Sequence, residues 1–511
     1  MTALARQLAA LLVERQAGRA ASEPGRGAGD APAPAAPAPG GPGEGLQPQV
    51  VLGGDTREST AEICAWLAAG LSAGGVAVRY AGVIPTPGVS FLAGDLGAAA
   101  GVVVSASHNP YPDNGIKLLD GRGFKWSEAD EMELEERLRA AAGSGGSGSG
   151  SGSGASGGSG SGGAAAGTPP AAWAAVARLA PSAPPAPEPD LRERYLRHLA
   201  ATVEGGAGAP ATAATAATAE AAPARPAAGL PLAGMRVVLD TGHGAASGYA
   251  GELFARLGAE VTVLCAAPDG RNVNLGCGST SPESVAAAVV AAGARLGAAF
   301  DGDADRCILA DERGEVRDGD AILYLWATRL REEGRLVPPA IVATSMTNLG
   351  LERALARHGI AVVRCGVGDR LVAETMRRDG ILLGGEQSGH VVRLDLAATG
   401  DGLLTAVQMA ALVHGAGRPL SELLAGFRRY PQTLVNVRVA RKPDLATLPR
   451  VAAAARAVED ELGADGRLVL RYSGTEPLAR VMIEGPDQET IETLAGQLAA
   501  VLADELGQPA G

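Results

Sequence analysis

Residues 101–126 read GVVVSASHNPYPDNGIKLLDGRGFKW, and this stretch indicates both the fold and the chemistry. It begins as an apolar, buried strand and breaks into a polar loop. Within eleven positions, the loop contains a hydroxyl, an imidazole and an amine, at Ser107, His108 and Lys117. Such a group directly after a strand is typical of a nucleophile with acid/base neighbours. An ordinary loop rich in proline and asparagine would have the same residues, so this stretch alone leaves both interpretations open.

The lysine in this loop is unusual for the chain. Lys117, Lys125 and Lys442 are its only lysines, and arginine supplies every other basic side chain except histidine. A partly desolvated lysine can release its proton near neutral pH, which an arginine cannot. The use of lysine instead of arginine at position 117 therefore indicates that Lys117 acts as a general acid or base.

Composition limits the classes of partner. The net charge of −12 over 511 residues argues against nucleic acid or an anionic membrane as a general partner. No uncharged apolar run reaches the roughly 18 residues of a membrane span. The five cysteines are scattered without CxxC spacing, so we predict no disulfide framework and no zinc site, and expect a reducing cytoplasm.

Alternating strand and helix patterns predict a mostly parallel α/β layer repeated along the chain. The opening MTALARQLAALLVERQ places leucines on one helical face, which favours an amphipathic helix over a secretion signal. We expect an α/β domain I (1–142), a low-complexity linker (143–190), α/β domains II (191–314) and III (315–428) and an α+β domain IV (429–511). Pro, Ala, Gly and Thr dominate two inserts, 22–47 and 205–229, which cannot bury a core.

Three aspartates follow an apolar strand in DGDADR, at Asp301, Asp303 and Asp305. On extended backbone, alternate side chains share one side, so we expect the three carboxylates to converge. Their repulsion is relieved by a divalent cation, and hard oxygen ligands suit Mg²⁺. Glu312 at the twelfth position imitates a calcium-binding EF-hand, but Arg306 occupies the sixth position, which requires glycine. A solvated acidic turn is the remaining alternative.

Two further loops carry polar groups suited to a phosphosugar. GGEQSGH (384–390) offers a carboxylate, a hydroxyl and an imidazole for sugar hydroxyls or an amine, at Glu386, Ser388 and His390. RYSGTEPLAR (471–480) offers two guanidiniums, two hydroxyls and turn N–H groups, a cradle for a phosphate dianion. Its residues are Arg471, Ser473, Gly474, Thr475 and Arg480. Alone, each loop is also compatible with an ordinary surface turn.

Taken together, the loops resemble the α-D-phosphohexomutase superfamily, and most of all its bacterial phosphoglucosamine mutase branch. The resembling stretches are SASHNPYPDNGIK, LDTGHGAAS with NVNLGCGST, DGDADR, GVGDR, GGEQSGH, ATGDG and RYSGTEP. Gln387, Asp369 and Arg370 resemble the amino-sugar branch in particular. The resemblance implies a four-domain architecture around a central cleft, with three similar α/β domains of mixed sheets and a smaller α+β C-terminal domain.

The resemblance also implies a role for each site residue. Ser107 would be the phosphorylated serine and would bind Mg²⁺ together with the three aspartates. His108 and Lys117 would move protons, and Arg306 would steady the phosphoserine. Substrate would be bound by Arg57, Asp369, Arg370, Glu386, Ser388, His390, Arg471, Ser473, Gly474, Thr475 and Arg480.

The implied reaction interconverts glucosamine 6-phosphate and glucosamine 1-phosphate, with glucosamine 1,6-bisphosphate as intermediate and activator. Priming of the serine by a kinase or by autophosphorylation, and a homodimer, are further expectations. The alternatives are a phosphomannomutase/phosphoglucomutase and a non-catalytic phosphosugar-binding protein. The binding-protein alternative arises because this sequence contains no FGTxGxRG-type loop, with which members of the family begin. Either the gene start is placed too late or the loop is truly lost.

Overall fold

The computed structural model describes residues 1–21, 47–143, 183–204, 229–473 and 476–507. The chain divides into two compact units, the first of Met1–Arg317 with Ser388–Leu420 and the second of Asp318–Gln387 with Ser421–Gly511. The predicted low-complexity stretches 22–47, 143–190 and 205–229 lie outside the described residues except for 47, 143, 183–190 and 229.

Helices and strands alternate through most of the described sequence. The helices are α1 (Thr2–Ala21), α2 (Thr60–Ala73), α3 (Thr86–Asp95), α4 (Glu128–Gly143), α5 (Pro189–Glu204), α6 (Ala250–Arg256), α7 (Glu283–Ala292), α8 (Gly319–Glu332), α9 (Leu349–Ala356), α10 (Asp369–Asp379), α11 (Gly402–Ala416), α12 (Leu420–Leu423), α13 (Pro449–Leu462) and α14 (Gln488–Leu506). The strands are β1 (Gln49–Gly54), β2 (Ala77–Val83), β3 (Ala100–Val104), β4 (Ile116–Asp120), β5 (Arg236–Asp240), β6 (Glu260–Leu264), β7 (Leu296–Phe300), β8 (Cys307–Asp311), β9 (Val316–Arg317), β10 (Ala340–Thr344), β11 (Ala361–Cys365), β12 (Leu383–Gly385), β13 (Val391–Arg393), β14 (Gln432–Arg438), β15 (Arg467–Tyr472) and β16 (Leu478–Glu484).

The first unit contains two mixed sheets, in the orders β2-β1-β3-β4 and β6-β5-β7-β8-β9. β1 pairs in parallel with β2 and β3, and β5 pairs in parallel with β6 and β7, while antiparallel strands are added beyond β3 and β7. These sheets confirm the predicted α/β class. Polar loops follow β3 and β7 at their carboxyl ends, which is where open α/β sheets usually bind ligands.

The predicted amphipathic helix at the start of the chain is confirmed as α1. Leu8, Leu11 and Leu12 are buried in the same apolar core as Leu67 and Leu71 of α2. Burying a leucine contributes about 1.5–3 kcal/mol. The helix is therefore an integral part of the first unit.

The second unit combines an α/β layer with an antiparallel sheet. β10 pairs in parallel with β11 and β12, whereas β16 lies between β14 and β15 and pairs antiparallel with both. Val481 and Ile483 of β16 share a core with Ile491 and Leu498 of α14, as predicted for an α+β C-terminal domain. In the part of the chain that the structure describes, no helix has the length and apolar character needed to cross a bilayer.

Candidate active site

The loop after β3 holds Ser107 in an unusual backbone conformation. Its φ is 52°, a left-handed value that residues other than glycine seldom adopt. The N–H of Ser107 donates to the Ser105 hydroxyl at 2.9 Å, and its carbonyl accepts from Asn274 at 3.0 Å and from Arg57 at 2.9 Å. Hydrogen bonds on both sides of the residue thus stabilise a conformation that is unfavourable by itself.

Arg57 lies beneath this loop rather than in a solvent-facing site. Its side chain is fully buried, and its Nε donates to Asp55 at 2.9 Å. The two Nη atoms donate to the carbonyls of Pro110 at 2.6 Å and of Ser107 and Asn109 at 2.9 Å. We predicted Arg57 as a substrate ligand, but with its donors directed at the loop backbone the geometry favours a positioning role.

The three aspartates converge in a turn, which differs from the extended backbone predicted for them. β7 ends at Phe300, and Ala304 has a left-handed φ of 54°. Ligand oxygens of Asp301, Asp303 and Asp305 nevertheless lie within 4.8 Å of one another, and all three residues are buried. The predicted convergence is therefore observed, although it arises from the turn instead of strand alternation.

A close backbone approach joins the aspartate turn to the serine loop. A Cβ on Gly302 would lie 2.6 Å from the carbonyl oxygen of Ser107, so only glycine fits there. The Ser107 hydroxyl donates to Asp301 Oδ2 at 2.5 Å. The predicted nucleophile thus lies in direct contact with one of the predicted metal ligands.

Lys117 neutralises part of the charge of the aspartates. Its Nζ lies 2.6 Å from Asp303 Oδ2 and 3.0 Å from Asp305 Oδ2. Burial alone would lower the pKa of Lys117, but the charges of Asp303 and Asp305 outweigh it and raise that pKa. In this arrangement the ammonium is the stable form at neutral pH, contrary to our expectation of a readily released proton.

Thr86 is a site residue that sequence reasoning missed. It begins α3, is buried, and donates its hydroxyl to Asp303 Oδ2, while its N–H donates to the Asp303 carbonyl at 3.0 Å. The two contacts fix both the backbone and the carboxylate of Asp303. In the sequence, Thr86 follows an unremarkable Ile-Pro turn, and no local pattern points to this contact.

Crowding of the carboxylates perturbs their ionisation. Burial and the charges of Asp305 and Asp303 raise the pKa of Asp301 to about 8. Burial acts in the same direction on Asp305, but Lys117 and His390 outweigh it and hold the pKa of Asp305 well below its ordinary value. The site therefore has one carboxyl that takes up a proton near neutral pH.

His108 and Arg306 flank this group. Nδ1 of His108 lies 3.4 Å from the Ser107 hydroxyl oxygen. Burial and the Arg306 charge lower the pKa of His108, so its neutral imidazole predominates at pH 7. The backbone N–H of Arg306 donates to Asp301 Oδ1 at 3.2 Å. Both residues thus lie close to Ser107 or Asp301, and their roles in the reaction stay predictions.

The two remaining predicted residues of the first unit differ in exposure. His390 is buried, accepts a hydrogen bond from the Gly400 N–H at 3.1 Å through Nε2, and has Nδ1 3.7 Å from Asp305 Oδ1. These contacts favour a role for His390 in supporting Asp305, whereas we predicted that His390 contacts the substrate. Ser388, two residues earlier, is half-buried.

In the second unit, the GVGDR loop contacts Glu386 of the GGEQSGH stretch. The Gly368 N–H donates to Glu386 Oε1 at 3.1 Å. Asp369 and Arg370 follow at once as the first residues of α10, and the Arg370 N–H donates to Asp369 Oδ1 at 2.8 Å. Three predicted substrate ligands are therefore neighbours.

The predicted phosphate cradle is only partly within the described residues. Gly474 and Thr475 lie outside them. Arg471 of β15 and Arg480 of β16 are directly opposite in the antiparallel ladder. Like charges at opposed positions are destabilising, so this pair suits an anion bound between or beside them.

Ser473 and Lys442 complete the described part of the cradle. Ser473 is buried, and its carbonyl accepts a hydrogen bond from Lys442 Nζ at 2.6 Å. Sequence reasoning missed Lys442, although the scarcity of lysine in the chain was an available signal. Arg480 also pairs with Glu476 at 2.9 Å, which leaves that guanidinium partly neutralised.

Family models match all four regions of the chain. The models of α/β/α domains I, II and III of phosphoglucomutase/phosphomannomutase match residues 43–143, 221–314 and 318–430. The model of the C-terminal domain of the same family matches residues 434–501.

Similar proteins and structures agree with these matches. Phosphoglucosamine mutases of Solibacter usitatus and Moorella thermoacetica are 40% and 42% identical, each over 90% of this chain and 91% of the relative. A phosphoglucomutase/phosphomannomutase family protein from Burkholderia thailandensis has the same fold, with a TM-score of 0.67 at 21% identity over 100% of this chain and 94% of that one. Aspergillus fumigatus N-acetylphosphoglucosamine mutase, solved with GlcNAc-6P and magnesium, gives a TM-score of 0.54 at 19% identity over 82% and 92%. The chain therefore belongs to the α-D-phosphohexomutase superfamily, among the phosphoglucosamine mutases, and is an isomerase.

Proposed function

We propose that this chain interconverts glucosamine 6-phosphate and glucosamine 1-phosphate by way of a phosphoserine at Ser107 and glucosamine 1,6-bisphosphate. The names of the relatives support the substrate, and one observation supports the mechanism. That observation is the 2.5 Å contact between the Ser107 hydroxyl and Asp301, inside a cluster of three buried aspartates. An isolated surface serine would have no reason to lie there.

The aspartate cluster fits a divalent cation, and we assign Mg²⁺ to it. Its donors are carboxylate oxygens, the ligands that Mg²⁺ prefers. Oδ1 of Asp303 is buried and accepts no hydrogen bond from the described residues, as expected of an atom awaiting another partner. Asp301, Asp303, Asp305 and the oxygen on Ser107 would hold the ion, which when bound neutralises charge on the transferring phosphoryl group.

Residues of the chain supply positioning and proton transfer. The neutral imidazole of His108 can accept a proton from an attacking sugar hydroxyl. Lys117, held as an ammonium, can donate a hydrogen bond to an oxygen that gains charge. Arg306 is placed beside Asp305, with Nε 4.0 Å from its Oδ1, and can balance the charge of a phosphoserine.

Recognition of the sugar and of its second phosphate falls to the second unit. We assign the amino sugar to Glu386, with Asp369 and Arg370 nearby in the same loop pair. The phosphate that is not reacting is assigned to Arg471, Ser473 and Arg480, together with Gly474 and Thr475. The opposed arginines give this anion site its charge.

The remaining assignments concern the compartment in which the enzyme works, the first phosphorylation of Ser107 and the oligomeric state. The five cysteines are all free thiols, which supports the cytoplasm as its place of work. Transfer from a sugar bisphosphate or from a kinase would place the first phosphoryl group on Ser107. A homodimer stays a prediction.

Intact mass and a substrate panel test this proposal together. A phosphate adduct of about 80 Da is expected on Ser107 and absent from Ser107→Ala. Turnover should favour glucosamine phosphates over glucose and mannose phosphates by at least about tenfold in kcat/KM, a difference of about 1.4 kcal/mol. Preference for mannose 6-phosphate would replace the assigned substrate. Neither adduct nor turnover after priming with a sugar bisphosphate would indicate a binding protein instead.

A further inference from the structure

A second cluster of ligating side chains lies in the first unit, outside the groups assigned to the mutase reaction. It consists of His243, in the turn after β5, Cys265, directly after β6, and Cys277, just before the short helical turn at Gly278–Thr280. One imidazole nitrogen and the two sulfur atoms lie within 4.8 Å of one another. The sequence hides the cluster, because its members are widely spaced and none belongs to a CxxC pair.

The donor set is that of a soft metal ion. Two thiols and an imidazole are typical zinc ligands, whereas Mg²⁺ avoids them. Nδ1 of His243 is buried and forms no hydrogen bond with the described residues. His243 and Cys265 both adopt left-handed φ values, 50° and 51°, that non-glycine residues seldom take. A buried ring nitrogen without a hydrogen-bond partner, on a histidine that lies close to two sulfurs, indicates a missing ligand.

We propose that His243, Cys265 and Cys277 bind a thiophilic divalent cation of the zinc class. The two thiols release their protons to solvent as the sulfur–metal contacts form. Three protein ligands leave one position of a tetrahedral ion for water. Cys277 is buried, while His243 and Cys265 are half-buried, so an ion can enter from the side of those two residues.

The cluster adjoins the support of the serine loop. The His243 carbonyl accepts from the Thr56 hydroxyl at 2.6 Å, next to Arg57. Asn274, which donates to the Ser107 carbonyl, also donates its N–H to the Gly242 carbonyl at 2.8 Å. Because zinc could also occupy the aspartate cluster, activity alone cannot locate it, and the test needs a signal specific to sulfur.

Cobalt(II) supplies that signal, since only thiolate ligation gives a sulfur-to-cobalt charge-transfer band. The purified full-length protein, reduced and freed of metal, is titrated with Co²⁺ and then with Zn²⁺. We expect the band to saturate at one equivalent and to disappear when one equivalent of Zn²⁺ is added. Cys265→Ser and Cys277→Ser should each lose it, and His243→Asn, which tolerates the left-handed backbone, should weaken cobalt binding at least tenfold.

Two control variants locate the signal. Cys365→Ser removes a thiol that is also half-buried but lies outside the cluster, and it should leave the band unchanged. Asp301→Asn disables the aspartate cluster and should also retain it. Absence of the band in the native protein, or its persistence when Cys265 and Cys277 are both replaced, would overturn the proposal. So would a count of only three free thiols, instead of five, in protein that is purified and denatured without reductant, because the pair would then be a disulfide.

Discussion

Replacement of Arg57 by lysine tests whether the buried guanidinium positions the catalytic loop. The native side chain donates four hydrogen bonds, to Asp55 and to the carbonyls of Ser107, Asn109 and Pro110. A lysine keeps the charge but presents its donors from a single point instead of a planar fork. We therefore expect Arg57→Lys to lose at least two of these hydrogen bonds while leaving the ion pair with Asp55 possible.

The size of the effect follows from the two hydrogen bonds that lysine cannot replace. A hydrogen bond to a charged group contributes about 1.5–3 kcal/mol, so two of them amount to about 3–6 kcal/mol. At about 1.4 kcal/mol per tenfold change in rate, the lower figure corresponds to a fall in kcat of about 10². Since Arg57 is fully buried, we expect KM to change little.

Steady-state kinetics with glucosamine 6-phosphate, combined with hydrogen exchange of the peptide covering 105–115, measures both consequences. Exchange in that peptide should accelerate because fewer hydrogen bonds hold its carbonyl groups in place. Arg122→Lys is the matched control, because Arg122 pairs with Asp120 in the same domain but its side chain is 67% exposed. An exposed pair contributes about 0–1 kcal/mol, so the control should remain within about fivefold of native kcat.

An effect on KM instead of kcat would refute this reasoning. If Arg57→Lys raised KM, kept kcat within about fivefold of the control and left loop exchange unchanged, Arg57 would be a substrate ligand, as the sequence first led us to predict.

Other perturbations probe the aspartates and a distant buried carboxyl. In the metal-free, unphosphorylated protein, Asp301 has a raised pKa of about 8, so it is protonated below that pH and must lose the proton to bind Mg²⁺. The dissociation constant for Mg²⁺ should rise by up to about tenfold per pH unit below 8, with proton release detectable by calorimetry in buffers of different ionisation enthalpy; a pH-independent constant would contradict this. Burial raises the pKa of Asp401, which accepts a hydrogen bond from Tyr195, from 3.8 to about 6. A raised folded-state pKa means that the stability is present below the unfolded value and lost as pH rises through about 6. Wild type should therefore lose about 3 kcal/mol relative to Asp401→Asn between about pH 3 and pH 7, measured by urea denaturation; parallel pH profiles would count against it. Thr86→Val should lower kcat about tenfold by removing the hydroxyl that holds Asp303, whereas native kinetics and Mg²⁺ affinity in this variant would mean that the contact is unimportant.

The sequence predicted those parts of the site that are contiguous in the chain. Ser107 with His108 and the aspartate triplet each lie within one short loop after a strand, so residue type and strand position were enough to predict them. The meeting of the two loops followed from the resemblance and is observed at Ser107 and Asp301. The α/β class and the C-terminal α+β domain are also confirmed, whereas the exact domain boundaries stay predictions.

The supporting hydrogen bonds could not be predicted, because they join segments far apart in the chain. Thr86 reaches Asp303 across 217 positions, and Asn274 reaches Ser107 across 167. No local pattern encodes which distant hydroxyl or amide will meet a given loop. The contacts of Arg57 could not be predicted for a similar reason, since the sequence around it does not reveal whether its guanidinium faces solvent or the backbone of another loop.

The left-handed backbone at Ser107, the proposed phosphate acceptor, restricts which amino acid can work there. Threonine offers the same hydroxyl chemistry as serine, but its branched Cβ strongly disfavours a φ near the 52° found at Ser107. A phosphothreonine form of this enzyme would have to release the hydrogen bonds that fix the residue on both sides. The main chain, and not the reaction, therefore selects the unbranched alcohol.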